Sequence, residues 1–74
     1  MHPSVRRDDA PGCPLTDRQH EIADLVARGL TNKQIAFALG LSRFTVETHV
    51  RNILERLDAT SRSQIAVWAV LART

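Results

Sequence analysis

Seventy-four residues with a net charge of +2 and one cysteine describe a single small domain that must hold together by side-chain packing. Such a core is too small to enclose a substrate cavity of ordinary size, and no apolar stretch reaches the ~18–20 residues of a membrane span. The lone Cys13 can form neither an internal disulfide nor a cysteine-based zinc site, and no basic-then-apolar signal segment is present, so a cytoplasmic protein is expected.

Residues 1–14, MHPSVRRDDAPGCP, combine all three prolines with a glycine and self-cancelling charges. They read as a flexible tail or the remnant of a linker. From Leu15 to Thr74 the pattern predicts an all-α domain, a four-helix bundle with helices at about 17–28, 32–39, 43–57 and 62–72.

The first helix opens with the capping-box spacing Thr16-x-x-Gln19 and turns Ile22, Leu25 and Val26 inward at intervals of three and four. Gly29 stands where it should stop. A second box, Thr31-x-x-Gln34, opens a short helix whose inward residues are Ile35, Ala36 and Leu39, with small Ala36 and Ala38 permitting a close neighbour. Gly40 ends it, and Leu41 is expected to fill the angle to the next helix.

Ser42 caps the third helix. At about 100° per residue, Val46, Val50, Ile53 and Leu57 fall on one side, with Leu54 at its edge. The opposite side carries Phe44, Thr48, Arg51 and Glu55, with Glu47 on one shoulder and Thr45, Asn52 and Arg56 on the other. A face holding only lysine and glutamate would be an ordinary solvated surface, although many helices carry more varied residues without contacting anything. Here an aromatic ring, a β-branched hydroxyl and a guanidinium lie within two turns, matching a thymine methyl, a base-edge acceptor and guanine O6/N7. Arg51 has an alternative role as the i,i+4 partner of Glu47, and Phe44 can instead pack back onto Leu41 or the first helix.

The fourth helix starts at Ser61-x-x-Gln64 and contains the apolar run Ile65 to Ala72. Ile65, Trp68, Ala69 and Ala72 form one side, and Val67, Val70 and Leu71 form a second stripe that a small monomer has little reason to display. A symmetric dimer contact through Val67, Val70 and Leu71 is expected, the alternative being packing against an upstream domain.

Several linked motifs agree in order and spacing. Leu15-Thr16-x-Arg18, Gly29-Leu30-Thr31-Asn32-Lys33-x-Ile35-Ala36, Leu39-x-Leu41-Ser42-x-x-Thr45-Val46-x-x-His49, Ile53, Leu57 and Arg62 resemble the LuxR-type, GerE-like helix-turn-helix domain. The resemblance covers residues 15–70. It implies a bacterial transcription regulator that binds double-stranded DNA with its third helix in the major groove and dimerises through its fourth. It also implies a phosphate clamp at Thr31, Asn32 and Lys33, where free N–H groups and the helix dipole favour an anion. Without that clamp, Thr31 is only a cap and Lys33 only a solvated charge. Ser42 and Thr45 are expected to combine capping with phosphate contact, and Arg56 and Arg62 to reach the backbone. His49 is expected to pack beside the core.

Two positions depart from the family pattern. Gln19 replaces a usual glutamate but preserves the capping box. Glu47 stands where a base-reading lysine is common; a glutamate cannot donate to guanine, and either accepts from cytosine N4 or repels nearby phosphate. The family's usual target sequence therefore does not carry over.

No nucleophile–base spacing, metal-ligand cluster or phosphate-binding glycine loop appears, so neither an enzyme nor a cofactor or metal site is expected. The promoter-reading helix-turn-helix of a sigma factor shares similar helices, but the Gly29–Lys33 signature fits the LuxR type better. A helical module that binds protein through its last helix is the remaining alternative. An upstream sensor or receiver domain would supply the input to such a regulator.

Overall fold

The computed structural model describes residues 14–73. Most of the expected tail, with Cys13, lies outside them. Four helices follow in order: α1 (Asp17–Ala27), α2 (Asn32–Leu39), α3 (Arg43–Leu57) and α4 (Arg62–Arg73). The second and third coincide with the expected spans, and α1 and α4 each differ by one residue at the C-terminal end.

The helix starts follow from local hydrogen bonding. The Thr16 hydroxyl accepts the Gln19 N–H at 3.1 Å while the Gln19 side-chain oxygen accepts the Thr16 N–H at 3.1 Å. Gln19 is buried, so a neutral amide here satisfies the turn without enclosing a charge. Thr31 and Gln34 repeat the box at 3.1 and 2.8 Å. The Ser42 hydroxyl oxygen accepts the Thr45 N–H at 3.0 Å and its O–H donates to the Thr45 hydroxyl at 2.9 Å. The fourth start differs from expectation. The Gln64 side-chain oxygen accepts the backbone N–H of both Thr60 and Ser61, but Gln64's own N–H donates to the Ser61 carbonyl rather than to the hydroxyl. Only the glutamine half of that box is made.

Left-handed residues close the first three helices. Gly29 (φ 91°) and Gly40 (φ 69°) do so at no steric cost. At Gly29 the amides of Leu30 and Gly29 return to the carbonyls of Leu25 and Val26, which satisfies the last turn of α1. The same pattern recurs after α3, where Ala59 and Asp58 donate to Leu54 and Glu55. There the left-handed residue is Asp58 (φ 54°), a position with no glycine to announce it.

Leu15, Ile22, Ile35, Val46, Ile53 and Ile65 are fully buried, with Ala23, Val26, Ala36, Val50 and Ala69 completing the core. Leu25, Leu39, Leu41, Leu54, Leu57 and Trp68 pack around it at partial burial. The α1 helix packs mainly on α4 and α3, and α2 packs on α3. His20 meets Trp68 edge to face across the α1–α4 seam, with ring centroids 5.3 Å apart. Ala72 was expected on the inner side of α4 but is exposed, because the core ends one turn earlier, at Ala69.

A polar brace joins the start of α4 to the α1–α2 turn. The Arg62 guanidinium donates to the Asn32 side-chain oxygen and to the Leu30 carbonyl, both at 2.6 Å. These charge-assisted bonds fix the start of α4 to the turn that leads into α2.

Candidate nucleic-acid interface

Gly40 and the Ser42 cap set the angle between α2 and α3, and the apolar stripe of α3 anchors that helix against the core. What remains outward is its polar side. Phe44 is 72% exposed, which removes the alternative of packing onto Leu41 or α1. Glu47, Arg51, Asn52 and Arg56 are exposed, while Thr45, Thr48 and His49 are half-buried at the flanks of the stripe.

The Thr48 hydroxyl donates to the Phe44 carbonyl at 3.1 Å. Its proton is thus held by the helix, and its oxygen lone pairs are what it offers outward. The Glu47–Arg51 pair is not formed. Glu47 turns back one turn instead, its Oε2 lying 3.4 Å from Arg43 Nε. Among the described residues Arg51 makes no ion pair, so its guanidinium is available to an outside acceptor.

Thr31, Asn32 and Lys33 at the start of α2 line one open groove together with Arg43, Glu47 and Arg62. The groove therefore joins the α2 N-terminus to the first turns of α3. Asn32 gives its side-chain oxygen to Arg62, which leaves its amide N–H groups to point elsewhere. Ser42 and Thr45 are engaged with each other as a cap. Arg56 lies thirteen residues beyond Arg43, about 20 Å along α3 at 1.5 Å per residue, and is not part of this groove.

Three residues escaped the sequence reading. Arg43 and Arg51 are both four residues from Glu47, and the usual preference for the acid on the N-terminal side points to Arg51. The nearby Lys33 and Arg62 bias the carboxylate the other way. Arg62 was expected at the DNA backbone, and its brace to Asn32 and Leu30 was missed because a contact thirty residues away leaves no local signal. Phe37, 91% exposed on α2 beside Lys33, breaks the apolar-in pattern and carries no periodic cue.

Among the described residues no group of histidine, cysteine and acidic side chains has metal-site spacing, and no helix is long and apolar enough to cross a membrane.

Comparison with known proteins places this arrangement. The family model described as "Bacterial regulatory proteins, luxR family" matches residues 13–69. The chain is 49% identical over 55 residues to the transcriptional regulatory protein LiaR of Bacillus subtilis, covering 74% of this chain and 26% of that protein. It is 57% identical over 56 residues to the uncharacterized response regulatory protein YgeK of Escherichia coli, covering 76% and 38%. The nitrate/nitrite response regulator NarL of Escherichia coli is 43% identical over 54 residues, covering 73% and 25%. The chain thus spans between a quarter and two-fifths of the length of these relatives.

Proposed function

Because the chain belongs to the luxR family of bacterial regulatory proteins, we propose that it recognises double-stranded DNA in a sequence-specific way, with α3 in the major groove, as a homodimer on two half-sites. Phe44, Glu47, Thr48 and Arg51 are the base-facing set. Thr31, Asn32, Lys33, Ser42, Thr45 and Arg56 form the phosphate-facing set. Val67, Val70 and Leu71 form the face between protomers.

The observation that carries this reading is the shared groove. It brings the capped N-terminus of α2, with Lys33, beside the first polar turns of α3. A phosphate held at the helix start then fixes the depth and register at which α3 meets base edges. The relatives named above are called response regulators or a transcriptional regulatory protein and are far longer than this chain. A cytoplasmic regulator with a sensor or receiver domain upstream fits that proportion.

Fluorescence anisotropy with a random-sequence duplex at 50 and 200 mM salt tests the DNA reading. Binding in the range of about 10⁻⁴–10⁻⁶ M, weakening steeply with salt, is expected. No binding at the lower salt would defeat it and leave α4 as a protein-docking face.

A further inference from the structure

Glu47 is a single carboxylate among cations. It shares the α2–α3 groove with Lys33, Arg43 and Arg62. Arg62 is committed to Asn32 and Leu30. Arg43 holds Glu47 at 3.4 Å, with side chains 67% and 45% exposed, an open pair that water screens and that adds little to folding. An anion beside a groove suited to phosphate weakens DNA binding unless the complex gives it a use.

Resting on the DNA-binding reading above, we propose that the Arg43–Glu47 pair is a base-selection device: phosphate takes over Arg43 on binding, and the released Glu47 carboxylate is satisfied by the N4 amino group of a cytosine. An ionised carboxylate only accepts hydrogen bonds. In the major groove guanine presents two acceptors and thymine an acceptor and a methyl group, so neither pairs with it. Adenine offers N6 but sets the N7 acceptor beside it, whereas cytosine offers N4 without that repulsion. A wrong base leaves the carboxylate without a donor and close to phosphate, so the pair selects chiefly by penalising mismatches. Arg43 acts here as a positioning residue. It holds Glu47 toward α2 in the free domain and shields it from the backbone during docking.

Selection from a random duplex library with the parent, Glu47→Gln and Arg43→Gln, followed by anisotropy on the enriched duplexes, tests the pair. The parent should enrich a cytosine at one position of each half-site, and Glu47→Gln should replace it with adenine, which a glutamine reads at N6 and N7. Exchanging that cytosine for thymine should weaken the parent about 10–100-fold and Glu47→Gln less than about 3-fold. On random DNA Glu47→Gln should bind more tightly, because no unpaired carboxylate then stands beside the phosphates. Arg43→Gln should shrink the cytosine preference several-fold as well as weaken binding. An unchanged selected base in Glu47→Gln overturns the proposal. A loss in Arg43→Gln that is equal for every base makes Arg43 a plain phosphate contact and overturns its positioning role. If the parent binds no duplex at any salt, the DNA reading has failed instead.

Discussion

Lys33 and Arg51 are both exposed cations, and the proposed function assigns them different tasks. Lys33 sits at the start of α2, where unpaired N–H groups and the helix dipole draw any phosphate regardless of sequence. Arg51 projects from the middle of α3 without an ion pair among the described residues, and its planar fork matches guanine O6/N7. Lys33→Ala should therefore weaken binding to all duplexes alike and flatten the salt slope by about one. Arg51→Ala should cost about 1–3 kcal/mol on the preferred site and much less on random DNA. Parallel titrations of both variants on both duplexes check the division, and equal losses for Arg51→Ala would move it into the phosphate class. Which side chains of α3 face out was legible from spacing, whereas the exposure of Phe37 and Ala72 was not. Which partner each charge chooses was not: Glu47 has an arginine four residues away on either side, and the field of Lys33 and Arg62 belongs to the tertiary structure.

At the level of helices, the chain advertises its starts better than its stops. Three of the four starts place a threonine or serine three residues before a glutamine, two of them forming the full box, and the expected spans hold to within a residue. Two glycines mark the ends of α1 and α2, whereas the end of α3 is carried by Asp58 in the left-handed region. An aspartate adopts that conformation more readily than most residues, but its charge stands at the negative end of the helix dipole. Asp58→Asn keeps the conformational tolerance and removes the charge, so it should stabilise the domain by about 0.3–1 kcal/mol. Asp58→Val should destabilise it by about 1–2 kcal/mol. Thermal or urea melts of the two variants beside the parent give the sign directly. A loss of stability in Asp58→Asn would show that the carboxylate has a stabilising role of its own.

Across the whole molecule, α4 is the element with two apolar sides. Ile65 and Ala69 enter the core, while Val67, Val70 and Leu71 are 57, 51 and 66% exposed. The amphipathic arithmetic of a single helix revealed the second stripe, though not what covers it. A hydrophobic face of this kind is expected to bury itself against its own copy, and under the proposed function that pairing would set two copies of α3 at two half-sites. Sedimentation should show concentration-dependent association for the parent and a monomer for Val70→Asp, whose core is untouched because the residue is outside it. Monomers in both samples would remove the dimer.

The grip of Arg62 on Leu30 and Asn32 means that α4 is more than an assembly handle. Shearing this helix away, by proteolysis or by a neighbouring domain prising it loose, would also slacken the loop that presents the first anion-seeking turn. The damage would surface even on an isolated half-site, far from any second protomer. A pull on α4 is therefore expected to be felt at the Leu30–Asn32 turn as well.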